Sequence, residues 1–298
     1  MPMTLAEYKK QSQDEFRSQV IETFLNHSPF LSRAIIQTII GGSVTFNREK
    51  TLPTGVGWRE VNGEFTVSSG EIEQVTESLN IAGGRTKLDR ILKQRYGSDR
   101  LATELAMQVK ATVRLINADI YKGDGLDGAI TGLQTRITGD NVIANGTAGL
   151  SAASLRAALL RCRGTNKTFF CSESVYSHIW AAYNDGTIQN VTFGAGEFGL
   201  TVLSFAGVPI VIAGEDGLGD DVLPYDEGTG TDETSIYLVS FDDTDGTVVI
   251  QSDEMNTTPL AEISVLEAYD VEWDMNFMSQ TERSAVRISG ITDAAMTK

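Results

Sequence analysis

A helical period dominates the middle of the chain. Between Ser98 and Ile120, the residues Leu101, Leu105, Val109, Val113, Ile116 and Ile120 recur every three or four positions. That spacing stacks them on one side of a helix. Arg100, Glu104, Lys110, Arg114 and Asp119 take the remaining sides, so the helix is amphipathic. Some 25 residues at 1.5 Å each would span about 35–40 Å, long for a globular domain. The stretch YKGDGLDGAITGLQTRI follows, in which Gly123 and Gly125 stop the helix and Gly132-Leu133 starts something extended.

Before this helix the pattern changes several times. Leu5, Tyr8, Ser12, Phe16, Val20 and Phe24 predict a first amphipathic helix. After Pro29, the residues Leu31, Ile35, Ile36, Ile39 and Ile40 predict a second, closed by Gly41-Gly42. From Ser43 to Ala82 the chain reads as strand and turn. SVTFNRE is a strand, and Pro53, Gly55 and Gly57 punctuate a loop. GWREV and EFTVS flank Asn62-Gly63, a strong short-range hairpin signal. EQVTESLNIAG alternates with period two. Some forty residues thus form a two-stranded excursion without apolar material for its own core, and isolated hairpins are marginal in water. Something else must cover it. Gly83 to Gly97 holds Arg85, Lys87, Arg90, Lys93 and Arg95, and Leu88, Ile91 and Leu92 predict a short helix with a basic outer face.

Beyond the central helix, Ser151–Arg163 and Glu173–Tyr183 read as helices around the buried strand KTFFCS. LSFAGVPIVIAG reads as a strand, and residues 215–234 as acidic, glycine-rich loop. SIYLVSFDD and TVVIQSDE read as a strand pair joined by a glycine turn. Glu262–Met278 and Ala285–Ile291 read as long terminal strands. The chain is therefore α+β, with no internal repeat.

Composition narrows the function classes. The 298 residues are 41% hydrophobic and 21% charged, ordinary for a soluble protein. A chain of this length buries about three quarters of its unfolded surface as one large domain or two interleaved ones. The amino-terminal stretch MPMTLAEYKKQSQDEF carries charge where a signal peptide has an apolar core. The uncharged run Phe198–Gly214 is short and interrupted by glycine and proline, so it reads as buried strand, not membrane span. Cys162 and Cys171 read as buried free thiols. The net charge of −16 is unevenly spread. Residues 168–282 contain 22 Asp and Glu and no Lys or Arg, while the rest has 24 basic and 18 acidic residues. Asymmetry of this kind concerns partners and solvation more than fold. The basic segment 83–97 lacks interleaved aromatics, which argues against nucleic-acid recognition; contact with acidic protein surface and a plainly solvated face are the readings that stay open.

No catalytic or ligand constellation emerges. Phe241–Gly246 resembles a calcium loop only in part, because Phe241 and Ser252 occupy the first and twelfth ligand positions. Lys122-Gly123-Asp124-Gly125 ends a helix and does not open one, unlike a phosphate loop. His27 and His178 are the only histidines, and no G-x-S-x-G elbow accompanies them. No metal, cofactor or catalytic residue is assigned.

The long helix closing on KGDG, followed by a G-L step, resembles the major capsid proteins of tailed bacteriophages. So does the order of the flanking segments. That family has the Hong Kong 97-type shell fold: a long spine helix, an extended β-hairpin loop and a mixed central domain. The resemblance implies an amino-terminal arm at 1–42 and an extended loop at 43–82. It implies a peripheral domain with the spine at 83–128 and 258–282, and an axial domain at 129–257 and 283–298. It implies a structural, non-enzymatic protein, made in a host cytoplasm. Copies would tile into pentamers and hexamers of an icosahedral virion shell around packaged DNA, without sequence-specific contact and without a membrane. Portal and decoration proteins are further implied partners. With about forty residues before the loop, a separate scaffolding protein, or none, is expected instead of a long fused scaffold. Trp58, Arg59, Asn62 and Gly63 at the loop, and Arg85, Lys87, Arg90, Lys93 and Arg95 beside it, are the expected subunit contacts. The basic set would face acidic surface of a neighbour drawn from 168–282. An encapsulin-type nanocompartment shell and, outside the fold, a soluble α+β hydrolase are the alternatives. Some relatives crosslink a loop lysine to a neighbour's asparagine. Here Lys50, the only lysine between Lys10 and Lys87, lies away from the loop tip. Boiled particles on a denaturing gel should therefore run as monomer; a ladder of covalent multimers would contradict this.

Overall fold

The computed structural model describes residues 27–89, 91, 99–186, 191–195, 201–230, 232–260 and 266–297. In chain order its elements are α1 (Pro29–Arg33), β1 (Ile35–Thr38), β2 (Ser43–Thr51), β3 (Glu71–Ser78) and β4 (Asn80–Asp89). The long helix α2 (Asp99–Lys122), α3 (Leu133–Arg136), β5 (Val142–Ala148), α4 (Ala152–Arg161), β6 (Lys167–Cys171) and α5 (Glu173–Asn184) follow. Then come β7 (Val191–Ala195), β8 (Thr201–Phe205), β9 (Val208–Ile212), β10 (Glu233–Ser240), β11 (Thr247–Gln251), β12 (Asn256–Pro259), β13 (Leu266–Ser279) and β14 (Ala285–Thr292). The expected first helix, Leu5 to Phe24, lies outside the described residues. No described helix is long and apolar enough to cross a membrane.

Two sheets share α2. The larger has seven strands in the order β5-β14-β10-β6-β9-β8-β7. Its alternation sends Phe170, Tyr237, Val239 and Ala285 toward α2, into one core. Phe169, Cys171, Ile236, Leu238, Val286 and Ile288 face the other way, into a second core with Leu155 of α4 and Val175 and Ile179 of α5. Both of these helices begin on a serine cap: Ser151 Oγ accepts from Ala153 N, and Ser172 Oγ from Val175 N. The five-stranded sheet is built on the 14-residue β13. That strand pairs with β4, β11 and β12, and β1 joins in parallel on β11. Val249, Val271, Trp273, Met275 and Phe277 from this sheet complete the core around Val109, Val113, Ile116 and Ile120 of α2. Both cysteines are free and buried.

Several segments differ from expectation for identifiable reasons. The helix predicted over 31–40 ends at Arg33, and Ile35–Thr38 becomes a strand. Its β-branched run fits a pleated surface, and β11 offers a partner edge. The helix predicted over 83–97 is strand as far as Asp89, paired with β13 from Asn80↔Met275 to Asp89↔Leu266. Gly83 and Gly84, poor helix formers, permit that crossing. A Cβ on Gly84 would fall 1.7 Å from Gln108 Nε2 of α2, and one on Gly83 would fall 2.2 Å from Val271 O. Gly132 caps α3 and does not begin a strand. LSFAGVPIVIAG folds into the β8–β9 hairpin, whose turn residues Ala206 and Gly207 both take positive φ, 50° and 81°. β10 and β11 are not a pair. The first lies between β14 and β6, and the second between β1 and β13 in the other sheet. The Asp242–Gly246 turn thus carries the chain from one sheet to the other.

One residue joins these layers. Phe30, 0% exposed, has its ring centroid 6.2 Å from Tyr121 at the end of α2 and 5.6 Å from Phe170 of β6. It is 5.1 Å from Phe241 and 6.0 Å from Phe277 of β13. Ser28 precedes it, donating to Asn117 Oδ1 of α2 at 2.9 Å, while Asn117 Nδ2 donates to Ala213 O at 2.9 Å. Phe30→Ala is expected to cost about 3–5 kcal/mol in urea unfolding of the purified protein. A cost under about 1 kcal/mol, as at most surface sites, would show that Phe30 does not join the sheets.

Candidate subunit-contact surface

Among the described residues, the fold leaves one element without a core of its own. β2 and β3 pair only with each other, from Ser43↔Ser78 to Thr51↔Glu71, and the chain between them runs outward from residue 52 to residue 70. That excursion is apolar and open to solvent. Trp58 is 105% exposed, Val67 98%, Val61 90% and Val56 83%. Leu52, Phe65 and Ile72 are exposed as well. Single exposed apolar residues are ordinary, but a contiguous set on one thin element marks an interaction site.

The expected hairpin at Asn62-Gly63 is a turn without flanking ladders. Gly63 N donates to Glu60 O at 3.0 Å, so Val61 and Asn62 are the central residues, and Asn62 alone takes positive φ, 69°. GWREV and EFTVS form no strands; the ladder lies below them in β2 and β3. Arg59 organises the tip. Its guanidinium lies 5.3 Å over the Phe65 ring and donates to Gly63 O at 3.1 Å. Lys50 is exposed at a bulge in β2, opposite the step from Ile72 to Glu71.

The base of the hairpin, by contrast, is fixed. Arg136 of α3 donates to both carboxylate oxygens of Glu77 in β3, at 2.5 and 2.9 Å. It also donates to Thr131 O at 2.6 Å and stacks 4.5 Å over Phe277. Asn276 Nδ2 donates to Ser78 O at 2.6 Å, Asn80 Nδ2 to Gly128 O at 2.9 Å, and Arg48 Nη2 to Ser279 O at 2.7 Å. Val44 and Phe46 pack against Val248, Ile250 and Met278. The turn after α2 sets this geometry: Gly123 and Gly132 pack closely there, with Gly132 N donating to Gly123 O at 2.8 Å. It presents Arg136 to the hairpin. No spacing signal marked Arg48, Glu77, Arg136 or Asn276, because their contacts join distant segments.

The basic set is divided. Arg85 lies directly across from Asp270 on β13 and pairs with it through two bonds, 2.6 and 2.7 Å. The Arg85 hydrogen bond holds the Asp270 carboxyl below the ordinary carboxylate range. Asp270 belongs to the acidic stretch, so this contact is made within the chain. Lys87 is exposed on the same strand, and Arg90, Lys93 and Arg95 lie outside the described residues. Other acids of 168–282 also find cations from outside that stretch: Glu215 pairs with Arg114, Asp226 with Lys122, and Glu227 with Arg287. The fold therefore supplies part of the neutralisation that the sequence withheld.

No family model matches the chain, and no curated protein matches it in sequence. Solved structures do match. The holo-SrpI encapsulin complex from Synechococcus elongatus PCC 7942 aligns with a TM-score of 0.66 at 11% identity, over 88% of this chain and 87% of that one. The capsid of cyanophage A-1(L) aligns at 0.64 and 14% identity, over 89% and 93%. This is the Hong Kong 97-type shell fold. The capsid of a native GTA particle shares it too, at a TM-score of 0.57 and 14% identity over 91% and 90%. That fold has a long spine helix and an extended β-hairpin loop, and α2 and the β2–β3 hairpin are elements of those two kinds.

Arg136→Ala is expected to destabilise the subunit by about 2–4 kcal/mol, because it strands Glu77 in a largely buried position. Hydrogen exchange in 43–51 and 71–78 should rise more than in β10 or β14. Arg136→Lys should recover less than half of the loss, since it lacks the planar fork. Uniform exchange across the chain would contradict the anchoring role.

Proposed function

We propose that this chain is the building subunit of a closed icosahedral shell of the tailed-phage type, a virion capsid of pentamers and hexamers around packaged DNA. The observation that carries the proposal is the 52–70 excursion, with Trp58, Val61 and Val67 fully in water on a rigidly anchored base. A repeated contact between different surfaces closes into rings, and each copy then covers its neighbour's loop. Fully burying side chains of this size contributes about 1.5–3 kcal/mol each, which suffices to drive association. On this reading the chain divides as the resemblance implies: arm 1–42, extended loop 43–82, peripheral domain 83–128 with 258–282, and axial domain 129–257 with 283–298. Lys87, Arg90, Lys93 and Arg95 remain candidates for contact with a neighbour's acidic surface. A separate scaffolding protein or none, a portal and decoration proteins are the partner set this reading carries, and the role is mechanical, not catalytic.

The encapsulin-type shell is the second reading, favoured by the TM-score of 0.66 to the SrpI complex. Contents separate the two: nuclease-protected DNA supports a capsid, and captured protein cargo supports a nanocompartment. Electron microscopy of purified protein should show closed shells, and discrete small oligomers would overturn both. Trp58→Ser combined with Val61→Ser should lower shell yield more than tenfold, since losing about 1.4 kcal/mol per contact already weakens each contact tenfold, while leaving the subunit's urea midpoint unchanged. Undiminished yield would show that the loop tip is not a subunit contact.

A further inference from the structure

The chain contains two Asn-Gly pairs, 62–63 and 145–146, and the fold treats their asparagines oppositely. Asn145 is locked. Its Nδ2 donates to Ala148 O at 2.9 Å and Gly149 O at 3.0 Å, and its Oδ1 accepts from Ser151 N at 3.0 Å and Ser154 Oγ at 2.9 Å. Asn62 is exposed at the tip of the hairpin, on a single turn. Gly63 has no side chain to crowd its own nitrogen, and the residue is exposed. We propose that Asn62 is a spontaneous modification site, at which deamidation converts the loop tip from neutral to anionic and removes the subunit from assembly.

The chemistry needs only water. The Gly63 amide gives up its proton to solvent, and its nitrogen attacks Cγ of Asn62. The new N–Cγ bond closes a five-membered succinimide as the Cγ–Nδ2 bond breaks, and Nδ2 leaves as ammonia. Water then opens either carbonyl–nitrogen bond of the ring, leaving aspartate or isoaspartate at position 62. No oxidant or reductant takes part. One hydrogen bond opposes the first step, from Gly63 N to Glu60 O, and it belongs to an exposed turn that opens readily. The guanidinium of Arg59 stands at the same turn, 3.1 Å from Gly63 O and 3.4 Å from Glu60 O. A cation there favours the deprotonated amide and competes for the carbonyl that restrains it. The product places a carboxylate between Glu60 and Glu64 on the surface that carries Trp58. Seating that tip against a neighbour would then require desolvating a clustered charge. Isoaspartate also lengthens the backbone within the turn.

The first arm of the test uses unassembled subunits held in mildly alkaline buffer, with peptide mass mapping over time. Conversion at Asn62 should exceed that at Asn145 by about tenfold or more, the rate equivalent of about 1.4 kcal/mol. Synthetic peptides spanning the two pairs should convert at similar rates, since neither has a fold. Equal conversion of the two sites in the folded subunit would overturn the proposal, as would an equally large difference between the peptides. This arm requires no shell, so its failure is distinct from failure of the shell reading, on which the second arm rests. There, Asn62→Asp should assemble at least about tenfold less well than the freshly prepared wild type, and shells grown from aged subunits should be depleted of modified chains. Equal content of modified chains in shells and in residual subunits would overturn the link to assembly.

Discussion

The aromatic joint at Phe30 is the contact that the rest of this structure depends on. The apolar stripe of the spine must be buried on two sides, by one face of the seven-stranded sheet and by the five-stranded sheet. Phe30 meets the end of the spine, β6, the crossover at Phe241 and β13 at once. Edge-on aromatic pairs of this kind add about 0.5–1.5 kcal/mol each beyond the area they bury. The consequence is geometric as well as energetic. Once β13 is fixed against the spine, Phe277 and Asn276 fix Arg136 and Ser78, and the hairpin leaves the body along one direction. For the docking proposed above, that rigidity matters, because every degree of freedom lost on contact opposes association.

Charge follows the same architecture. The acidic stretch has no cation of its own in sequence, yet the spine, β4 and β14 bring Arg114, Lys122, Arg85 and Arg287 against it. The Arg287–Glu227 pair is well buried and also engages Ser235. The more exposed Arg114–Glu215 and Lys122–Asp226 pairs contribute about 0–1 kcal/mol each. Other acids, including Asp243 and Asp245, lie in an exposed turn. A surface of this sign resists sticking to nucleic acid and to other acidic surfaces.

Much of the fold was legible because long-period patterns survive any tertiary context. The stripe Val109-Val113-Ile116-Ile120 is the buried face of the spine, and the serine-capped helices after Leu150 and Cys171 stand where their caps place them. The segments that misled are those whose conformation is set by a distant partner. Ile35–Thr38 and Leu88 fit either helix or strand until β11 and β13 offer edges. The pairing of β10 and β11 looked local, because only six residues separate them, but each has a longer-range partner. At the candidate contact surface, Trp58, Arg59 and Asn62 were legible from the loop's lack of core material. The anchoring set at Arg48, Glu77, Arg136 and Asn276 was not, because its members are far apart in sequence and share no spacing.

The central claim of the proposed function is that the 52–70 excursion, exposed in the single chain, is covered by another copy. Hydrogen exchange compared between unassembled subunits and purified particles tests it most directly. The account predicts strong protection of residues 52–70 on assembly, with β6, β10 and β14 unchanged because they are already buried. Equal exchange of 52–70 in both forms would contradict it.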